Sequence, residues 1–154
     1  MKKIFIIGIV ASGKTTLAKK LSNNYKIPWY ELDNIVHNKI ENSRRKRTND
    51  ELFDYIKEIN EKGEWIFEGV YRESYHYLLD MAEEILFLDP PLWKRKVRIL
   101  LRHVKQNLGI EKCEYKPDLK MLKMMYKWTD DFEKNRENFE AILSAYKEKV
   151  IKLN

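Results

Sequence analysis

Residues 8–15 contain the residue types that hold phosphate groups. The segment reads GIVASGKT and matches the pattern G-x4-G-K-[ST]. Glycines let the backbone curl so that successive N–H groups point at one anion, and a helix beginning near Lys14 adds its positive end. Lys14 then reaches the β- and γ-phosphates of a nucleotide, and the Thr15 hydroxyl is a ligand for Mg²⁺. The expected nucleotide-binding residues are Gly8, Ala11, Ser12, Gly13, Lys14, Thr15 and Thr16.

The sequence around this loop is typical of an α/β protein. Because the predicted strands are almost continuously apolar and alternate with helical patterns, we predict a mostly parallel five-stranded sheet in a three-layer fold. The predicted strands are residues 2–7, 28–32, 65–69, 84–89 and 149–153. The predicted helices are residues 14–24, a segment after the capping-box pattern Thr48-x-x-Glu51 that stops at Gly63, 73–83, 92–107 and 118–147. Residues 118–147 form either one long helix or two, with a bend expected at 127–131, and residues 34–47 match neither pattern.

Ligands of parallel sheets lie at the carboxyl ends of the strands, so the residues that follow each strand are candidates for chemistry. Asp33 follows the second strand, where a carboxylate can hold or deprotonate an acceptor hydroxyl, with Glu31 as an alternative. Asp33 can equally well cap the next helix. Arg98 and Arg102 lie four residues apart on one helix face, and such a pair either neutralises phosphate charge or forms an exposed basic face.

Composition limits the possible classes of protein. The chain has 154 residues, a length typical of one domain, and a formal net charge of +6. The charge fits a partner rich in phosphate, either a small nucleotide or a nucleic acid. No apolar run approaches the roughly 20 residues that span a membrane. The chain has a single cysteine, Cys113, and therefore no internal disulfide. We expect a cytoplasmic location and no association with a membrane. The sequence does not indicate the oligomeric state.

The order of motifs resembles the adenylate-kinase-like branch of P-loop kinases. More closely, the chain resembles the small proteins labelled DNA topology modulation protein. The matching segments are GIVASGKTTLAKKL, ELDNI, WIFEGVYR, ILFLDPPLWKRKVRILLR and RENFEAILSAYKEKV. The resemblance implies a P-loop NTPase fold over residues 1–154 as one kinase-like domain. It also implies a helical lid at about residues 103–127 that closes over the nucleotide.

The resemblance also implies a role for the acid-Gly-x-x-Arg motif in EGVYR. Glu68 would orient Mg²⁺ through water, although related kinases usually have Asp there, and Asp89 is the rival acid. Arg72 would hold the acceptor or the transferring phosphate.

Further basic residues take roles from the same resemblance. Arg98 and Arg102 would stack on the adenine and enter the lid over the γ-phosphate. Arg136 and Lys127 would be additional lid cations. Apart from the resemblance, the basic run RRKR, with Arg44, could meet a second phosphate on the acceptor.

Three functions are compatible with these residues. The first is an ATP- and Mg²⁺-dependent kinase of a small molecule, with a nucleotide or nucleoside as the leading acceptor. The second is a nucleic-acid-binding regulator that ATP switches, although the chain has no helix-turn-helix, zinc or single-strand stacking signature. The third is a nucleotide-binding structural protein without turnover. The kinase is the preferred hypothesis, with Lys14, Asp33, Glu68, Arg98, Arg102 and Arg136 as its catalytic residues.

Overall fold

The computed structural model describes residues 2–40, 43–113 and 115–154. The strands are β1 (Lys3–Gly8), β2 (Trp29–Glu31), β3 (His37–Ile40), β4 (Ser43–Lys46), β5 (Trp65–Gly69), β6 (Glu84–Leu88) and β7 (Val150–Leu153). In this part of the chain, five of them form a sheet in the order β2-β5-β1-β6-β7, and every pair is parallel. The predicted fold class is confirmed.

Helices connect the strands. They are α1 (Lys14–Tyr25), α2 (Leu32–Val36), α3 (Asn49–Glu61), α4 (Tyr77–Met81), α5 (Leu92–Asn107), α6 (Leu119–Lys134) and α7 (Arg136–Ser144). The predicted capping box is present at the start of α3, where the Thr48 hydroxyl accepts from the Glu51 amide and Glu51 accepts from the Thr48 amide. Among the described residues, no helix combines the length and apolar character needed to cross a membrane.

The apolar side chains form a layer on each side of the sheet. On one face, Phe5 and Phe67 pack against residues of α2, α3, α4 and α7. On the other face, Ile6 and Ile66 pack against Ala18 of α1. A third, smaller cluster of Ala11, Ile99 and Met125 joins the phosphate loop (residues 8–15) to α5 and α6. The loop at the carboxyl end of the central strand is therefore held by both α5 and α6.

Three details differ from the sequence predictions. The segment 34–47, which no pattern placed, contains α2 and the antiparallel hairpin β3–β4 outside the main sheet. The predicted helix 73–83 is a 3-10 turn at Glu73–Tyr75 followed by the short α4. The bend predicted at 127–131 was wrong, because α6 continues to Lys134 and the break is at Asn135. The Asn135 side-chain amide donates to the Asp131 carbonyl, which competes with continuation of the helix.

Candidate active site between two cavities

The phosphate loop adopts a strained, curled backbone. Ala11 has a φ of 61° and Gly13 a φ of 100°, both in the left-handed region. A Cβ added at Gly8 would lie 2.4 Å from the Ser12 hydroxyl and 2.9 Å from the Leu88 carbonyl oxygen, so only glycine fits. The Ser12 hydroxyl is buried and makes no hydrogen bond within the described part of the chain. This is the geometry that orients backbone N–H groups toward a phosphate.

Lys14 folds back over the loop. Its ammonium group donates to the Ile9 carbonyl at 3.0 Å. Burial lowers the pKa of Lys14, an effect that the carboxylates of Glu68 and Asp33 oppose and the Arg102 guanidinium reinforces. An anion bound beside this lysine would interact with an ammonium group that water solvates unusually poorly.

Thr15 and Glu68 bring the loop and β5 together. The Thr15 hydroxyl donates to Glu68 Oε1 at 2.7 Å, and Glu68 is only 2% exposed. Burial raises the pKa of Glu68 above its usual value, partly opposed by the Thr15 hydrogen bond and the Lys14 charge. Glu31 pairs with Glu68 across β2 and β5, and its charge raises that pKa further. A buried carboxylate beside a threonine hydroxyl is a suitable donor set for a cation that also binds phosphate.

Asp89, the rival acid, lies in a different environment. Its carboxylate accepts two hydrogen bonds from Arg136, at 2.7 and 2.9 Å, and pairs with Lys152 of β7 at 2.9 Å. Burial by itself would raise the pKa of Asp89, but the hydrogen bonds from Arg136 and Lys152 outweigh it and hold the pKa below its usual value. Asp89 is thus fully engaged at the β7 side of the sheet, whereas Glu68 lies at the loop.

Two cavities meet at the phosphate loop. The first has a volume of about 520 Å³, and the second has a volume of about 590 Å³. Both are lined by Ala11, Gly13, Thr16 and Arg102. The charged residues of the first cavity are Lys14, Glu31, Asp33, Glu68, Arg72, Arg102 and Asp131. The charged residues of the second are Lys20, Arg98, Arg102, Lys105 and Glu111.

Arg98 and Arg102 of α5 lie where their spacing predicts, on the side that meets the loop. Arg98 donates to the carbonyl oxygens of Ala11 and Ser12, both at 3.2 Å. Arg102 pairs with Glu111 at 3.6 Å and lines both cavities. Arg98 therefore supports the loop backbone, and Arg102 is placed between the two spaces.

The acceptor-side residues are only partly brought together. Arg72 and Asp33 approach to 3.8 Å, and both side chains are about half exposed at the first cavity. The side chain of Arg44 lies outside the part of the chain that the structure describes. Two neighbours in the RRKR run are engaged elsewhere, because Arg45 pairs with Glu51, and Arg47 donates to the Ile35 carbonyl.

Arg136, predicted as a lid cation, does not line either cavity. It forms ion pairs with Asp89 and with Glu133, which accepts from it at 2.8 and 2.9 Å, and its guanidinium lies over the Phe132 ring. Glu133 also accepts from the buried Arg95. The structure therefore places Arg136 in a network that ties α6 and α7 to the sheet. Lys127 lies on a separate surface depression with Lys120 and Lys123.

Removing the Arg136 charge tests this structural placement. We expect Arg136→Met to lower the free energy of unfolding by about 2 kcal/mol, because Asp89 stays largely buried with a weaker set of partners. Urea unfolding followed by circular dichroism measures the change. Catalysis by the folded variant should persist. A large loss of turnover with no loss of stability would contradict the structural role and restore Arg136 to the catalytic set.

The sequence predictions did not include the residues in and just after α6 that line the first cavity. Trp128, Asp131, Phe132 and Asn135 all line the first cavity. Their spacing of three, four and seven residues places them on one helix face, and this periodicity was a signal that could have identified them. The segment had instead been interpreted as a bend.

The comparisons with known proteins extend this description. No family model matches the chain. A shikimate kinase from Flavobacterium psychrophilum is 34% identical over 98 residues, which are 58% of this chain and 54% of that protein. The chain thus spans about half the length of the curated relative that it matches.

One solved structure shares the architecture at low identity. An uncharacterized protein from Eubacterium ventriosum ATCC 27560 superposes with a TM-score of 0.54 at 22% identity, covering 90% of this chain and 77% of that one. A gluconokinase from Sinorhizobium meliloti 1021 superposes with a TM-score of 0.45 at 13% identity, covering 88% of this chain and 95% of that one. The chain is therefore a three-layer α/β protein that is similar over part of its length to a shikimate kinase.

Proposed function

We propose that this protein is an ATP-dependent kinase that phosphorylates a hydroxyl group of a small molecule. The observation that supports it most is that Lys14, Thr15 and Glu68 line the first cavity, next to loop residues Ala11, Gly13 and Thr16 that line both cavities. A nucleotide and an acceptor need separate spaces that share one point, and the phosphate loop lies at that point. The similarity to a shikimate kinase agrees with this proposal.

The residues present fit ATP and Mg²⁺. The loop offers curled backbone and a buried, unpaired Ser12 hydroxyl, and Thr15 with Glu68 offers oxygen ligands. No group of three or more His, Cys, Asp or Glu side chains among the described residues could hold a metal by itself. Mg²⁺ commonly takes one or two protein groups, with phosphate and water completing the octahedron. Bound ATP·Mg²⁺ would supply the phosphoryl group and neutralise part of its charge.

The remaining groups act on phosphate and acceptor. Asp33 would hold the acceptor hydroxyl and accept its proton, since a carboxylate within hydrogen-bond reach serves as a general base. Arg72, beside Asp33, would hold the acceptor. Arg102, between the cavities, would stabilise the charge that develops on the transferring group. Arg98 would keep the loop in place, and we assign Arg136 a structural role.

We also propose that residues 103–127 act as the lid. This segment contains the end of α5, the connection between α5 and α6, and the first half of α6. Glu111 in the connection pairs with Arg102, so a closing movement of this segment would change the partner of a phosphate-facing cation.

The alternative of a nucleic-acid-binding regulator draws less support from these contacts. The basic residues of α5 mostly have partners within the protein, since Arg95 is buried, Lys96 pairs with Asp130 and Arg98 binds the loop. Fewer cations are thus available to neutralise a nucleic-acid backbone.

A turnover assay with a panel of hydroxyl compounds tests the kinase proposal. We expect ADP formation that depends on both the acceptor and Mg²⁺, with a product whose mass exceeds that of the acceptor by one phosphoryl group. ADP is measured by a coupled assay, and the product by mass spectrometry. DNA binding is measured in parallel at several salt concentrations. ATP binding without acceptor-dependent turnover, combined with salt-dependent DNA binding, would contradict the kinase proposal.

A further inference from the structure

The two cavities beside the phosphate loop have opposite electrostatic character. Among the described residues, the second cavity has the cations Lys20, Arg98, Arg102 and Lys105 against the single acid Glu111. The first cavity has Glu31, Asp33, Glu68 and Asp131 against Lys14, Arg72 and Arg102. If the proposed function holds, the basic cavity suits the charged nucleotide, its terminal phosphates reach Lys14 and Thr15 in the first cavity, and the rest of that acid-rich cavity receives the acceptor.

Of the three cations described in the acid-rich cavity, two are assigned to the phosphates of ATP. Lys14 lies on the loop and Arg102 is shared with the nucleotide side, so both belong to the phosphates of ATP. Arg72 is the cation that remains, and it faces Asp33 at 3.8 Å. A phosphate group on the acceptor would therefore meet carboxylates with a single arginine to neutralise it.

The α6 wall of this cavity offers a different kind of recognition. The Asp131 carboxylate lines the cavity and makes no hydrogen bond or ion pair within the described part of the chain. The neighbouring Asp130 instead pairs with Lys96 at 3.1 Å and does not line the cavity. Trp128, one turn before Asp131, is 42% exposed and presents a flat apolar surface to the same space. Carboxylates accept hydrogen bonds from hydroxyls, and an indole ring packs against the C–H face of a ring.

We propose that the acceptor is a polyhydroxylated, sugar-like molecule without a phosphate group, bound by Asp131 and Trp128 of α6 opposite Asp33. In the reaction, an acceptor oxygen forms a bond to the γ-phosphorus. The bond from that phosphorus to the β–γ bridging oxygen breaks, ADP leaves with the electron pair, and the hydroxyl proton passes to Asp33. The products are ADP and the phosphate monoester of the acceptor. This inference rests on the proposed kinase function and names its substrate class.

The test compares two acceptor classes on the purified protein with ATP and Mg²⁺. The polyols are myo-inositol and D-glucose, and the phosphate-bearing acceptors are AMP, CMP and UMP. We expect phosphorylation among the polyols only. Turnover of the nucleotides alone would overturn the inference and leave the kinase proposal intact. Turnover of neither class, with ATP still bound, would overturn the inference together with the kinase proposal.

Matched variants then test the α6 wall with the polyol that is turned over. We expect Asp131→Asn to raise the KM for the acceptor about 10-fold or more and to leave the KM for ATP unchanged. The substrate hydroxyl would then donate its hydrogen bond to a neutral amide, which is a weaker partner than a charged carboxylate. Asp130→Asn is the control and should leave both constants unchanged. Trp128→Ala should also raise the acceptor KM, and Trp128→Phe should restore much of it. Equal effects of Asp130→Asn and Asp131→Asn would overturn the assignment of this wall.

Discussion

Lys14→Met should reduce kcat/KM for ATP roughly a thousandfold, which is the largest effect that we expect from a single substitution. The ammonium group lies on the phosphate loop and is the cation best placed to bind the β- and γ-phosphates. Methionine has a similar length and no charge, so the substitution removes the electrostatic interaction and keeps the packing. Steady-state kinetics with the acceptor identified by the panel would measure the loss.

The stability of the Lys14→Met variant separates a catalytic loss from a folding defect. Burial lowers the pKa of Lys14, so its charged form is disfavoured in the folded protein. Replacement by an apolar side chain should therefore leave the free energy of unfolding unchanged or higher. Lys62→Met is the matched control, since Lys62 is exposed and pairs only with the nearby Glu58 among the described residues. Retention of normal turnover by Lys14→Met would remove the phosphate loop from the mechanism.

Glu68→Gln should lower kcat by about 100-fold, because outer-shell ligands of a metal typically contribute 10- to 100-fold. Glutamine retains the size of the side chain and can still accept the hydrogen bond from Thr15. It lacks the negative charge that would orient Mg²⁺ and its water. The apparent Mg²⁺ requirement should rise with the loss of kcat, and a titration of Mg²⁺ at saturating ATP would show it.

The same substitution should stabilise the protein at neutral pH. Because burial raises the pKa of folded Glu68 above its ordinary value of 4.5, the folded state binds this proton more tightly than the unfolded state. The resulting stability is fully present below pH 4.5 and is lost as pH rises through the folded pKa. Glu68→Gln removes this loss. The free energy of unfolding of the variant should therefore equal that of the wild type below pH 4.5 and exceed it increasingly above pH 4.5.

Thermal unfolding of the wild type and Glu68→Gln across this pH range measures the difference. The difference between the two curves isolates Glu68 from the other carboxylates that titrate in acid. Glu84→Gln, at an exposed position, is the control and should follow the wild type. A Glu68→Gln variant that is less stable than the wild type at pH 7 would show that the charged carboxylate is stabilising in the folded state. The proposal that Glu68 binds Mg²⁺ would then need other support.

The main sheet could be predicted because its signals are local. The run from Trp65 to Phe67 is apolar and Gly69 follows two residues later, so the strand and its end follow from neighbouring residues alone. The capping box of Thr48 and Glu51 is equally local. The hairpin β3–β4 could not be predicted in this way, because its pattern in a polar, basic segment is neither helical nor alternating.

The candidate site shows the same division. The phosphate loop was predictable residue by residue, since one short motif contains its glycines, Lys14 and Thr15. The partners that other elements supply depend on packing. Nothing near Arg136 in the sequence indicates that it pairs with Asp89, 47 positions away. The run KWTDD also does not indicate whether Asp130 or Asp131 lines a cavity. The rotation of α6 about its axis decides this.

The central position of β1 affects how the protein folds. This strand lies between β5 and β6, where Lys3 pairs with Trp65 and Ile4 with Glu84, so all its ladder partners are far away in the sequence. Its apolar segment stays unpaired until those strands are available, and long-range pairing of this kind is slow. During that interval, Lys2 and Lys3 beside the apolar run oppose self-association of the unpaired strand.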